Sequence, residues 1–227
     1  MPFDDAIFGS GIYSPRQAAR LVGSSAQEVM RWTRGSGPVD PLWKAHYQFL
    51  DDTTELSFLD LIEVRVVKAL RRSGVSLQAI RFALHLAENR FEVERPLATR
   101  TFKLSGGDIL MDAIEDDGNL ISLSKKNPGQ KVFSEIVKQS LNDLEYEGNY
   151  AARWRPNSAQ FVIIDPSRAF GTPMIDDFGI STQVIFREFQ EFQDARYLSK
   201  IYEIPLRYIN DAIKFEKGLD ISQEING

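Results

Sequence analysis

Arg16, Gln27, Arg31 and Arg34 lie in one short stretch, SPRQAARLVGSSAQEVMRWTR, running from Ser14 to Arg34. Side chains of these types recognise rather than cut: a guanidinium fits the paired acceptors of a guanine edge, and a glutamine amide fits adenine. Ser14 at the start of the stretch and Lys44 beyond it complete the candidate DNA-binding set. Bond-making chemistry is less well provided for. The chain has no cysteine and only two histidines, His46 and His85, which excludes thiolate and histidine-rich metal centres. Glu115, Asp116, Asp117, Asp176 and Asp177 supply carboxylates, but the first three read better as a solvated turn than as a metal site. Gly9-Ser10-Gly11 and Gly35-Ser36-Gly37 lack the Lys-Ser/Thr that completes a phosphate loop, and no nucleophile or acid–base pair is recognisable. No catalytic residue, metal or cofactor is therefore expected, and the chain does not read as an enzyme.

The elements that must hold the candidate set are legible around it. Ser14 can cap a first helix with Pro15 in its first turn, and Ala18, Leu21 and Val22 fall on one face. Gly23 ends that helix, and Ser24 or Ser25 caps the next, in which Val29 and Trp32 turn inward while Gln27, Glu28, Arg31 and Arg34 turn outward. Two short helices joined by a tight turn are the layout of a helix-turn-helix. An ordinary amphipathic hairpin with exposed arginines has the same local signals. GSGPVDPLWKAHYQFLDD then reads as a turn and short hairpin, a wing from which Lys44, His46 and Tyr47 could reach the DNA backbone or minor groove, with Trp43 and Tyr47 better suited to packing.

Further on, LSFLDLIEVRVVKALRRSGVSLQAIRFALHLAENRF holds two helices separated at Gly74, with Ser76 capping the second. Arg65, Arg71, Arg72 and Arg81 lie off their apolar stripes, and His85 falls on or beside one. TRTFKLSGGDILMDA alternates around Gly106-Gly107 like a hairpin, and another turn is expected at Asp117-Gly118. Gln130 to Tyr146 returns to helical spacing, and EYEGNYAARWRPNS leads into a new strand, FVII. Three helices close the chain, from Ser181 to about Glu191, Asp194 to Tyr202 and Pro205 to Lys217, again compatible with a helix-turn-helix.

The fold class is thus mainly α with small β hairpins, in three parts: a winged helix-turn-helix over 1–92, a β-hairpin and helix connecting region over 93–158, and a three-helix domain over 159–227. With 27 Lys and Arg against 32 Asp and Glu, the net charge of -5 opposes indiscriminate nucleic-acid binding. Charge is nonetheless unevenly spread: between Tyr13 and Arg34 the basic Arg16, Arg20, Arg31 and Arg34 face only Glu28, and the charges from Arg65 to Arg81 are all basic. No stretch is long enough to span a bilayer and MPFDDAIFGSGIYS lacks a signal-peptide pattern, so a cytoplasmic protein without membrane contact is expected.

YSPRQAARLVGSSAQEVMRW, with LSFLDLIEVRVVKALRRSGVSLQAIRFAL and its Gly74-Val75-Ser76-Leu77 turn, resembles the winged helix-turn-helix of MerR-type regulators. IDPSRAFGTPMIDDFGISTQVIFREFQ to YEIPLRYINDAIKFEKGL is similar to a small bacterial and archaeal family known as domain of unknown function 433. Joined in this order, the two resemble VapB-type antitoxins. The resemblance implies a homodimer that binds double-stranded operator DNA through its N-terminal part, represses its own operon, and masks a PIN-like ribonuclease toxin. The chain departs from metal- and drug-sensing MerR regulators in lacking cysteine and a long dimerising helix after Arg90. A stand-alone transcriptional regulator without a toxin, and an interaction scaffold without DNA affinity, are the alternatives.

Overall fold

The computed structural model describes residues 9–50, 53–116 and 129–226. The fold is mainly helical, with small antiparallel sheets of two and three strands. Helix α1 (Pro15–Val22) begins at Ser14, whose hydroxyl accepts from the Gln17 amide while the Gln17 side chain reaches back to Ser14 in a capping box. It stops at Gly23, whose φ of 64° lies in the left-handed region that a β-carbon disfavours. Ser25, rather than Ser24, caps α2 (Ala26–Arg34). Ser24 is buried instead and donates to the Glu28 carboxylate at 2.7 Å, which locks the turn to the following helix.

Beyond α2 the expected wing is reduced to a tight turn closed by the paired Ser36 and Val39, followed by a helical turn at His46–Phe49. Arg81 donates to the carbonyls of Asp40 and Pro41, so a helix holds this segment where a partner strand was expected. Trp43 and Tyr47 are both buried, as their packing role requires. Helices α3 (Phe58–Arg72) and α4 (Leu77–Phe91) follow, broken at Gly74 with φ 88° and restarted by the Ser76 cap.

TRTFKLSGGDILMDA is not a hairpin. Residues Arg100–Asp116 form one helix, α5, packed on α6 (Gly129–Leu141). Neither glycine makes a turn: Gly107 serves that packing, since a β-carbon on it would lie 2.0 Å from Ser134 Oγ and 2.7 Å from its backbone, while a β-carbon on Gly106 would meet the Phe102 ring of the same helix. A helix of some length does therefore follow Arg90, but its buried face meets the chain's own α6. The turn expected at Asp117-Gly118 lies outside the described residues.

The hairpin of this region comes later, as β1 (Leu144–Glu147) and β2 (Tyr150–Trp154) in antiparallel pairing with a bulge at Glu145/Tyr146. At its turn Asn149 accepts from the backbone and hydroxyl of Thr101, tying the hairpin to the start of α5. A three-stranded antiparallel sheet, β3 (Val162–Ile163), β4 (Met174–Ile175) and β5 (Ile180–Ser181), leads into α7 (Thr182–Phe192), α8 (Ala195–Ile201) and α9 (Leu206–Asn226).

The larger core runs from Tyr13 and Trp32 through Phe102, Phe133 and Trp154 to Phe215 and Leu219 of α9. A second, smaller core of Ile185, Phe186, Leu198, Ile204 and Ile209 lies inside the three closing helices. Helix α9 contributes to both. Gly107→Ala tests the helix crossing, because alanine is intrinsically the better helix former by about 1 kcal/mol. Overpacking against Ser134 is expected to reverse that sign and cost about 1–3 kcal/mol, read from urea or thermal unfolding.

Candidate nucleic-acid interface

The buried face of α2 is carried by Val29 and Trp32, with Thr33 donating back to the Val29 carbonyl. Its other face places Gln27, Arg31 and Arg34 at successive turns, all exposed. Residues at this spacing share one helix face, the placement a recognition helix requires of its reading side chains. The acid on the same helix, Glu28, is turned away from it. Burial alone would raise the Glu28 carboxyl, but hydrogen bonds from Lys68 Nζ at 2.9 Å and from Ser24 hold it below its ordinary range. The stripe therefore keeps its positive charge.

The remaining sequence candidates fall unevenly around it. Arg16 on α1 is exposed and makes no ion pair among the described residues. Arg31 is likewise without one, whereas Arg34 donates to the Thr53 carbonyl across the turn. Ser14 is half-buried and spends its hydroxyl on capping α1, so it positions the helix and offers only a partly exposed surface to a ligand. Lys44 is exposed on the segment after α2.

That segment is fixed by one carboxylate. Asp60, fully buried near the start of α3, accepts from the Trp43 indole at 2.9 Å and the His46 amide at 3.0 Å. It also accepts from the Ser57 hydroxyl at 2.8 Å and pairs with Arg95 at 2.8 Å. Glu63, one turn further along α3, shares the same guanidinium at 3.2 Å and leaves its other oxygen without a partner among the described residues. Burial pushes the Glu63 carboxyl up to about 8, against the pull of Arg95.

Several basic residues that sequence alone places on the surface are used internally. Arg20 of α1 pairs with Glu216 at 2.7 Å and with Asp220 at 2.7 Å, both on α9. Arg65 pairs with Asp143 at 2.7 Å and lies over the Trp154 ring at 4.3 Å. Arg71 donates to the Val75 carbonyl and closes the turn at Gly74. Arg72 alone of that group is exposed and unpaired among the described residues. His85, expected on or beside an apolar face, is 72% exposed at the side chain and lies next to Glu88. It lies on the outer side of α4, which the broad apolar spacing of that helix did not reveal.

Among the described candidate acids, Asp176 is bound by Arg155 and Arg168, and Asp177 accepts from Tyr208. The side chains of Glu115 and Asp116, and all of Asp117, lie outside the described residues. Among the described residues there is no cluster of three metal-binding side chains, and no helix is long and apolar enough to cross a membrane.

Over 136 residues the chain is 32% identical to the Mycobacterium tuberculosis H37Rv protein "Putative antitoxin VapB45", covering 55% of this chain and 56% of that one. The chain thus spans little more than half the length of the curated relative it matches. A solved structure, that of Rv2018 from Mycobacterium tuberculosis, shares the fold with a TM-score of 0.70, over 91% of this chain and 99% of that one, at 20% identity. No family model matches the chain.

The Asp60–Glu63–Arg95 cluster carries a pH dependence. An unfolded glutamate ionises near 4.5, while Glu63 in the fold keeps its proton to about 8. Between those values the folded state binds the extra proton, so this group's contribution to stability falls as pH rises and levels off above about 8. Glu63→Gln is expected to flatten that decline, gaining on the order of a few kcal/mol over the wild type at the alkaline end relative to the acid end. Melting temperatures of both proteins across this range check it; parallel curves would remove the assignment.

Proposed function

We propose that this chain is a DNA-binding antitoxin of a type II toxin–antitoxin system. In this reading α1 and α2 form its MerR-like helix-turn-helix, and it represses its own operon and neutralises a PIN-like ribonuclease toxin. The observation that carries the reading is the exposed Gln27–Arg31–Arg34 stripe on a helix whose acid is neutralised from behind by Lys68. Support for the antitoxin role comes from the relative named above, which is called an antitoxin.

As a homodimer the protein offers two such stripes to half-sites roughly 34 Å apart, one turn of the duplex. Arg31 and Gln27 read base edges, while Arg16, Arg34 and Lys44 contact phosphates. The cap at Ser14 fixes the angle of α1 and so of the whole pair. No cofactor takes part. The domain-433-like closing helices form a separate functional surface, and the protein works in the cytoplasm.

Arg31→Ala is expected to cost about 1–3 kcal/mol of affinity for the DNA upstream of the chain's own reading frame, with unchanged unfolding. Fluorescence anisotropy measures it, and equal affinity of the variant would sink the recognition-helix assignment. Co-purification of a small ribonuclease from the native cell tests the antitoxin half. Operator binding with no such partner at any expression level would leave a stand-alone regulator.

A further inference from the structure

The closing helices contain nearly balanced charge, yet their surface is not balanced. Among residues 182–221 all six basic side chains, Arg187, Arg196, Lys200, Arg207, Lys214 and Lys217, are exposed, and none pairs with a carboxylate among the described residues. The acids are mostly used inside. Glu216 is buried against Arg20 and Thr182, and Asp220 also pairs with Arg20. Asp211 accepts from the Phe161 amide, Asp194 caps α8, and Glu188 accepts from Tyr202.

On α9 the imbalance becomes a pattern. Arg207, Asn210, Lys214 and Lys217 recur at intervals of three or four residues and so share one face, on which the one acid, half-buried Asp211, accepts from the Phe161 amide. The far side of the same helix carries Phe215, Glu216 and Leu219, buried against the larger core. Two of the cations rest on aromatic rings: the Arg207 guanidinium lies 5.1 Å from the Tyr208 ring, and Lys217 Nζ lies 4.9 Å from Phe189. A ring holds a cation in place without neutralising it, which lowers the ordering cost of a contact. The short α8 precedes α9 across a turn in which Glu203 has φ 55°, so α9 is the second helix of another helix-turn-helix layout.

We infer that this outer face of α9 is a second contact site for the phosphate backbone of duplex DNA, with Arg207, Lys214 and Lys217 neutralising phosphates and Asn210 donating between them. The inference rests on the proposed DNA binding of the chain but assigns a surface separate from α2. Because the face is turned away from the side of α9 that holds α1, it engages a different stretch of duplex from the one read by α2.

The test is anisotropy of the full chain on its upstream duplex and on a duplex of random sequence, across a salt series. The triple variant Arg207→Gln, Lys214→Gln, Lys217→Gln is compared with Lys214→Gln alone and with Arg31→Ala, each checked for wild-type melting. Each phosphate contact contributes about 0.9 to the slope of log affinity against log salt, so the triple variant should flatten it by about 2 to 3 on both duplexes. The same slope sets a loss of up to about eightfold per contact at about 0.1 M salt. Lys214→Gln should show about one third of the change, which keeps the test decisive if the triple variant folds poorly. Arg31→Ala should instead erode discrimination between the two duplexes and leave most of the slope.

Wild-type slope and affinity in the α9 variants, with Arg31→Ala impaired, overturn this site and leave the α2 reading standing. A wild-type chain that binds neither duplex overturns both. Variants that keep DNA affinity but lose a co-purifying acidic protein assign the face to protein and overturn it as well.

Discussion

The N-terminal half depends on a carboxylate that water does not reach. Burying Asp60 is tolerable only because the Trp43 indole, the His46 amide, the Ser57 backbone and hydroxyl and the Arg95 guanidinium together use its oxygens. Each partner belongs to a different task. Ser57 begins α3, Trp43 and His46 fix the segment that follows α2, and Arg95 brings in the chain beyond α4. One side chain thereby sets the start of a helix and the path of a loop relative to it. The arrangement also explains Glu63. Arg95 must serve two carboxylates a helical turn apart, and the like charge of Asp60 adds to burial in keeping the proton on Glu63.

The same economy of charge runs through the molecule. A chain with a net charge of -5 puts several of its acids to work holding elements together, and leaves cations uncovered, among them those of α2 and α9. Glu28 takes Lys68, Asp143 takes Arg65, and Glu216 with Asp220 takes Arg20. What remains outside on α2 is Arg31 with Gln27 and Arg34, and on α9 the Arg207–Lys217 face. Net charge therefore says little about what the surface offers to a polyanion.

Local signals were legible in the sequence, and long-range ones were not. The Ser14 and Ser76 caps, the stops at Gly23 and Gly74, the inward Val29 and Trp32 and the outward stripe on α2 are decided within a turn or two of chain. The three closing helices likewise start close to where Ser181, Asp194 and Pro205 mark them. Gly106-Gly107 suggests a turn because a glycine for a turn and one, such as Gly107, for a close helix crossing look alike until Ser134 is in place. Arg20, Arg65 and Arg81 could not be told from free surface cations, since their partners lie far along the chain. The β1–β2 hairpin was masked by charge and aromatics that read as a boundary. Of the candidate residues, those on α2 lie at the surface, while the Ser14 hydroxyl is engaged in capping α1.

Helix α9 joins these observations. Its Ile209 and Ala212 belong to the small core and its Phe215 and Leu219 to the large one, so it cannot shift without disturbing both. At the junction Glu216, 1% exposed, meets Arg20 of α1 and Thr182 at the start of α7. Tyr13, just before α1, adds a hydrogen bond to the Gly171 carbonyl at 3.0 Å, where any side chain at that glycine would collide with the ring. A buried ion pair adds little net stability over well-packed apolar residues, but a mispaired one is costly. The Arg20–Glu216 contact therefore acts chiefly on register: it admits one seating of α9 against α1 and penalises the others. Through it α1 and the helix carrying the outer basic face are tied to one another by ion pairs from a single guanidinium.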